Sequence, residues 1–142
     1  MDPYDLADPI PVLSRLPEDF YSNLSSSKWK DRKELALEPL LATLASSLRY
    51  QPDNYTDLVA ALAGRMGDAN VLCVVLAAQC IEKLARGLRG DFARYKSVVT
   101  APILGKLKEK KQNVQDALGS ALDAIAASVS TFPRHLPVSI WN

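Results

Sequence analysis

The residue best suited to binding chemistry is Trp29, which lies between Lys28 and Lys30 directly after the serine run 25–27. The serines predict a helix start, because their side chains accept hydrogen bonds from the free N–H groups of a first helical turn. A large aromatic ring at such a turn is costly to leave in water unless another surface covers it. Two interpretations are open: Trp29 anchors a protein partner, or it packs beneath the N-terminal segment of its own chain.

Catalytic or metal-binding chemistry has little support in the sequence. It contains no glycine-rich phosphate loop, no Cys/His cluster and no converging Ser/His/Asp set. Cys73 and Cys80 would lie about 10 Å apart along one helix, too far for a disulfide, and are predicted to be buried thiols. His135 is predicted to lie at the surface near the C-terminus, while Asp31 and Glu34 are interpreted as solvated partners of neighbouring basic residues. We therefore expect no enzyme activity, no metal and no cofactor.

The composition favours one soluble, all-helical domain. The 142 residues are 48% hydrophobic but only 7% aromatic, and β-branched residues do not concentrate in alternating runs. The formal net charge of +1 does not suit a nucleic-acid binder, whose surface is usually strongly basic. The longest apolar run, 71–78, is too short to cross a membrane, and the acidic, proline-bearing start does not resemble a secretory signal. These features predict an intracellular protein that binds neither nucleic acid nor membrane.

Helical periodicity divides the chain into a lead-in, six helices and a tail. Prolines and aspartates in residues 1–16 predict an extended lead-in whose apolar residues pack on the first helices. Five helices are predicted at about 17–24, 28–48, 55–66, 69–88 and 113–128, and another ends near residue 108. Pro39 is expected to kink its helix and Pro102 to interrupt its own, because proline removes a backbone donor. Residues 129–142 lack a period and are predicted to be an irregular tail.

The second helices of three successive helix pairs align with one another. Trp29, Val71 and Val114 fall at equivalent positions, and the spacing of about 42 residues is typical of HEAT and armadillo repeats. Small residues recur in the same register, where antiparallel helices approach closely: Ala36, Ala78 and Ala121. We therefore predict an all-α, HEAT-repeat α-solenoid of about three antiparallel helix pairs, with the intra-pair turns along one edge. The predicted repeats cover about 17–50, 53–89 and 91–128; a non-repetitive helical bundle is the alternative.

Several motifs together resemble a TOG domain. They are DPYDL at 2–6, LPEDFY at 16–21, KWKDRKE at 28–34, GLR at 87–89 and KEKK at 108–111. The resemblance covers about residues 1–128 and is to the middle TOG domains of the XMAP215/Dis1/mini-spindles microtubule polymerases. The lysine-flanked tryptophan before an amphipathic helix is its more specific element. Since a TOG domain has about six HEAT repeats, the sequence resembles the N-terminal half of one.

The resemblance implies binding of αβ-tubulin or microtubules through the intra-repeat turns. Trp29 would pack on β-tubulin with Lys28 beside it, whereas Arg32 would brace its own helix. The other implied contacts belong to the second and third turns: Asp68, Ala69, Asn70, Val71, Lys108, Lys110 and Lys111. From the residues alone, Asn70 is equally well interpreted as a helix cap and the lysines as a solvated turn. An acidic tubulin surface would give those lysines a steering role.

The implied function is a contribution to microtubule polymerisation and spindle organisation. The implied location is the cytoplasmic cytoskeleton: microtubules and their plus ends, spindle poles or centrosomes, and kinetochores. The alternative is a HEAT-repeat scaffold or spacer that binds an adaptor protein instead of tubulin. The last helix pair is expected to lack a stacking neighbour, unless the apolar tail residues fold back over it: Leu136, Val138, Ile140 and Trp141.

Overall fold

The computed structural model describes residues 1–128, and its secondary structure is helical apart from one isolated bridge. The α-helices are α1 (Pro3–Leu6), α2 (Phe20–Leu24), α3 (Glu38–Ala45), α4 (Thr56–Gly64), α5 (Val71–Leu88), α6 (Lys96–Lys106) and α7 (Gln112–Ser128). A π-helical stretch, Asp31–Leu37, leads into α3, and 3₁₀ segments occupy Leu13–Arg15, Arg65–Gly67 and Arg89–Tyr95. The predicted tail at 129–142, with His135 and the apolar residues expected to fold back, lies outside the described residues.

These helices form antiparallel pairs that stack side by side. Within the pairs, α2 packs against the π-helical stretch, α4 against α5, and α6 against α7. Neighbouring pairs meet through their second helices, α3 on α5 and α5 on α7, and also through α4 on α6. Because α5 is covered on both sides, its sequence is apolar on most faces. The arrangement confirms the predicted all-α HEAT-type solenoid.

The recurring small residues are part of the core. Ala36, Ala78 and Ala121 are completely buried, as expected where helix backbones approach closely. Cys73 and Cys80 are likewise buried and form no disulfide. Burial raises the pKa of both thiols, so neither is a reactive thiolate at neutral pH. The second helices thus contribute a continuous inner layer with little reactive chemistry.

Pro102 acts differently from the sequence-based prediction, and Pro39 follows an irregular stretch of its helix. Helix α6 continues through Pro102, from Lys96 to Lys106, instead of being interrupted there. In the first pair the irregular stretch precedes the proline: residues 31–37 are π-helical, and Pro39 lies in the first turn of α3. Proline is tolerated in a first turn, because the backbone donors there have no α-helical acceptor and its fixed φ suits the helix.

The lead-in is partly helical rather than extended throughout. The Asp2 carboxylate accepts a hydrogen bond of 2.9 Å from the Tyr4 N–H and so caps α1. Ile10 then donates its N–H to the Arg49 carbonyl at 3.1 Å, and its own carbonyl accepts the Gln51 N–H at 2.9 Å. The apolar residues of this segment pack on the core as predicted: Ile10, Val12, Leu13 and Leu16.

The lead-in is fastened to the connections between repeats, residues 46–55 and 87–95, which we call the corner edge. The Tyr4 hydroxyl donates to the Gly87 carbonyl at 3.0 Å. The Arg89 guanidinium lies 3.8 Å from the Tyr4 ring centroid and 2.8 Å from the Asp2 carboxylate. These contacts hold residues 2–10 at the opposite end of the second helices from Trp29.

Gly87 occupies a position at the corner edge that cannot accept a side chain. A Cβ there would overlap the ring of buried Tyr50, whose hydroxyl donates to the Leu44 carbonyl at 2.7 Å. We expect Gly87→Ala to lower the free energy of unfolding by about 1–3 kcal/mol, measured by thermal or urea denaturation. Gly119→Ala is the matched control, since its Cβ would meet no atom within 4 Å. A Gly87→Ala protein as stable as the control would contradict this packing.

Candidate functional site

The turns within the three helix pairs lie along one edge of the solenoid, opposite the corner edge. Residues 25–30, 68–70 and 107–111 are the first, second and third tips, and together they form the turn edge. The first two tips are adjacent, since Cys73 Sγ lies 3.7 Å from the Trp29 carbonyl oxygen. The second and third tips each follow residues that line a shared groove. A single partner surface can therefore reach all three.

The first tip presents Trp29 to solvent. The Ser26 hydroxyl accepts the Lys28 N–H at 3.1 Å and donates to the Asp31 carboxylate at 2.9 Å, which fixes the start of the helix. Trp29 is 38% exposed, and Lys30 Nζ lies 6.0 Å from its ring centroid. Part of the ring and the two flanking ammonium groups are therefore accessible from outside, and residues 2–10 of the lead-in do not cover them, because these contact the corner edge.

A buried ion pair joins the first two tips. Arg32 donates from Nε to Asp68 Oδ2 and from Nη2 to Oδ1, both at 2.8 Å, and from Nη1 to the Ser26 carbonyl oxygen at 2.8 Å. Arg65 adds a contact of 3.2 Å to the same carboxylate. Arg32 is only 8% exposed and Asp68 only 7%. Arg32 braces the start of its own helix through Ser26, as predicted, and it also pairs with Asp68, 36 residues away in the next repeat.

The surroundings of Asp68 favour its charged form. Burial alone would raise the pKa of this carboxyl, but the hydrogen bonds from Arg32 and from the Asn70 N–H and the charges of Arg32 and Arg65 outweigh burial. The pKa of Asp68 therefore lies below its ordinary value. Because its side chain is fully buried, Asp68 supports the second tip from inside instead of presenting its carboxylate to a partner.

The second tip presents mainly apolar groups beside the half-buried Asn70. Asn70 Oδ1 accepts the Leu72 N–H at 2.9 Å, so this side chain caps α5. Ala69 is exposed, and Val71 is partly buried against the core. The outward surface of this tip is therefore formed by Ala69, the edge of Val71 and the neighbouring Leu72.

Leu72 is an exposed residue beside the second tip that the sequence analysis did not single out. Helix α5 is apolar on most sides, so periodicity alone does not separate this leucine from the core, yet it is 46% exposed. A usable signal was present in the repeat alignment: Leu72 aligns with Lys30 and Gln115, both polar. A position that is polar in two repeats and apolar in the third indicates a surface residue.

The third tip is basic. Lys108, Lys110 and Lys111 are all exposed, and none has an ion-pair partner within residues 1–128. The backbone of this tip is held by the Glu109 N–H, which donates to the Lys106 carbonyl at 3.0 Å. Three unpaired ammonium groups on a fixed turn favour an acidic partner surface.

The turn edge as a whole offers an exposed indole, a small apolar tip and a cationic tip. Over the part of the chain that the structure describes, no three His, Cys, Asp or Glu side chains are grouped to hold a metal ion. No helix in the same part is long and apolar enough to cross a membrane. What the edge presents is suited to contact with the surface of another macromolecule.

Comparison with known proteins shows which proteins the chain is similar to. No protein-family model matches it. Mini spindles of Drosophila melanogaster is 44% identical over 131 residues, which are 92% of this chain and 6% of that protein. A solved structure concerning microtubule plus-end tracking by XMAP215 is 43% identical, with a TM-score of 0.85 over 89% of this chain and 52% of its own. A second, concerning tubulin recruitment by microtubule polymerases with TOG domain arrays, is 41% identical, with a TM-score of 0.82 over 88% of this chain and 26% of its own. The chain is similar to the TOG domains of the XMAP215 family.

The chain is shorter than the proteins it matches. It spans about half of the first solved chain, about a quarter of the second, and 6% of mini spindles. The motifs at 2–6, 16–21 and 28–34 therefore led to the right family, and the TOG fold is confirmed. That the chain corresponds to a middle TOG domain stays a prediction.

Proposed function

We propose that this TOG segment binds αβ-tubulin through its turn edge and contributes to microtubule polymerisation and spindle organisation. The observation that carries the proposal is the exposed Trp29, aligned with two further tips in a chain that matches tubulin-recruiting TOG arrays in sequence and fold. The proposed location is on cytoplasmic microtubules, including plus ends, spindle poles or centrosomes, and kinetochores. The role is one of binding rather than catalysis.

The apolar part of the contact lies at the first two tips. An aromatic ring that is already held by a rigid turn loses little conformational freedom on binding, which is why tryptophan is frequent among residues that dominate interfaces. Trp29 is therefore the proposed anchor, and the second tip supports it with Ala69, Val71 and Leu72. Asp68 and Asn70 act indirectly, because their side chains hold that tip in shape.

The basic part of the contact lies at the third tip, with Lys28 at the first. Exposed lysines contribute modestly to affinity, but they steer an acidic partner into register. Such an effect is screened by salt, since the Debye length is only about 8 Å at physiological ionic strength. The proposal thus predicts a complex that forms faster and more tightly at low salt.

Co-elution with tubulin in size-exclusion chromatography, at low and at physiological salt, tests the proposal. We expect a complex that weakens with salt. Replacing the three tip lysines together by glutamine (Lys108, Lys110 and Lys111) should weaken binding by about three- to tenfold at low salt and flatten the salt dependence. A matched control removes three exposed positive charges away from the turn edge: Lys83, Arg94 and Lys96.

The control variant should bind tubulin as the wild type does. If both triple variants lose affinity equally, net charge and not the third tip is responsible. If the folded wild-type chain shows no complex even at low salt, the proposal fails, and the alternative of a HEAT scaffold that binds an adaptor protein gains support.

A further inference from the structure

A groove separates the second and third tips. It has a volume of about 320 Å³ and is lined by Ala63, Met66, Gly67, Pro102, Gly105 and Lys106. Its two walls are the C-terminal ends of the first helices of neighbouring pairs: α4 with the following 3₁₀ segment, and α6. Both walls lead directly into tips, so the groove opens onto the turn edge.

The two glycines keep the groove open, and the backbone does not require them. A Cβ added at Gly67 or at Gly105 would meet no atom within 4 Å. Neither residue has a positive φ, so an L-residue fits the backbone at both positions. Alanine at a helical position such as 105 would favour the helix by about 1 kcal/mol over glycine. The space is therefore not needed for folding, and a group from another molecule can enter it.

The groove has an apolar floor and a cationic rim. Met66 is 3% exposed and Ala63 is 7% exposed, so the base is part of the core, and Pro102 adds an apolar wall. A methionine floor can adapt to the shape of an inserted group. At the rim, Lys106 Nζ is 3.9 Å from Glu109 Oε2, a loose contact that leaves the ammonium group able to pair elsewhere. An apolar side chain next to a carboxylate matches this combination.

We propose that the groove receives one apolar side chain of tubulin, with a neighbouring tubulin carboxylate paired to Lys106. This inference rests on the proposed function, because the groove is continuous with the turn edge and lies between two of its tips. The three exposed lysines of the third tip favour an acidic surface at the same place. The groove extends the contact from the tips onto the ends of α4 and α6.

Filling the groove from within tests the proposal. Gly105→Leu introduces a side chain at a position where the Cβ has room, and Gly105→Ala introduces a smaller one. The matched control is Gly119→Leu, at a glycine of α7 whose Cβ is equally unobstructed and which does not line the groove. We expect Gly105→Leu to raise the Kd for fluorescently labelled tubulin about tenfold, Gly105→Ala to raise it less, and Gly119→Leu to leave it unchanged.

A second probe addresses the rim. Lys106→Gln should raise the Kd about two- to fivefold and reduce its dependence on salt. The melting temperature of each variant is measured as well, and the Kd is interpreted only for variants that are folded. If Gly105→Leu lowers the melting temperature, the proposal is tested with Gly105→Ala and Lys106→Gln instead. A Kd for tubulin that is unchanged in both of these variants overturns the proposal.

The outcomes separate this inference from the proposed function. If Gly105→Leu is fully folded and binds as the wild type does, whereas Trp29→Glu has lost binding, the groove is empty in the complex and only this inference fails. If the wild type does not bind tubulin at all, the proposed function and the groove proposal fail together.

Discussion

Trp29→Glu is expected to weaken tubulin binding at least about 30-fold, because truncating an aromatic anchor typically costs 2 kcal/mol or more of binding free energy. The substitution removes the exposed ring and also places a negative charge between Lys28 and Lys30. The fold should tolerate it, since Trp29 is 38% exposed and exposed substitutions usually change stability by less than about 0.5 kcal/mol. The measurement is the Kd for tubulin together with the melting temperature.

The matched control is Leu48→Glu, which places the same charge at an exposed apolar residue of the corner edge, 58% exposed. It should bind tubulin as the wild type does. Trp29→Ala separates the loss of the ring from the added charge, and it should retain most of the defect. If Trp29→Ala binds as tightly as the wild type, the anchor role is wrong. If its melting temperature falls by more than about 5 °C, the ring is structural.

Arg32→Ala should destabilise the fold by about 3–5 kcal/mol, because removing one partner of a buried ion pair leaves the other charge uncompensated. Asp68 would lose two hydrogen bonds of 2.8 Å and keep the Asn70 N–H bond, but Arg65, at 3.2 Å, would be its only remaining ion-pair partner within residues 1–128. For a domain of this size the melting temperature should fall by roughly 10–20 °C. Arg86→Ala is the control, since Arg86 forms an exposed pair with Glu82 at 2.9 Å and should cost at most about 0.5 kcal/mol.

A double-mutant cycle distinguishes the ion pair from the packing of the arginine. Arg32→Met, Asp68→Asn and the double variant should show strong coupling, with the double variant more stable than the sum of the single effects predicts. Additive free energies of unfolding would contradict the proposed coupling between the first two tips. The same Asp68→Asn protein also tests how folding stability depends on pH.

The lowered pKa of Asp68 determines the direction in which folding stability changes with pH. Its ordinary value is 3.8, and the folded value lies below it. The stabilisation from this carboxylate is therefore fully present when the pH is above the ordinary pKa, and it is lost as the pH falls through the pKa of the folded state. Urea denaturation is measured at neutral pH and again below pH 4. Between these two conditions, the free energy of unfolding should fall more for the wild type than for Asp68→Asn. Parallel losses would show that other carboxylates account for the acid sensitivity.

The repeat architecture was predictable because it is encoded by local and periodic features of the sequence. The alignment of Ala36, Ala78 and Ala121 reports a packing requirement that recurs once per helix pair, and all three are buried. The exposure of Trp29 could not be predicted from the neighbouring residues, because they are compatible both with contact to a partner and with packing of the ring beneath the lead-in. It was decided by where residues 2–10 lie, and their partners at the corner edge are distant in sequence.

The parts that the sequence did not reveal depend on tertiary geometry. Nothing in the residues around Arg32 indicates that its partner lies 36 positions later, because helix stacking alone brings the two tips together. The same stacking turns Asp68 inward, although an aspartate in a polar turn usually faces water. Pro102 was expected to interrupt α6, but the surrounding packing overrides this local preference.

The ties between neighbouring repeats of the solenoid are unequal. At the first gap of the turn edge, the guanidinium of Arg32 clamps two neighbouring repeats together, while at the next gap no ion pair within residues 1–128 crosses the groove. The first two tips are thus joined by a buried ion pair, whereas the third repeat is joined to the second by the packing of α7 on α5 and of α6 on α4. The placement of the third-tip lysines relative to the first two tips therefore depends on apolar helix packing, which salt does not screen.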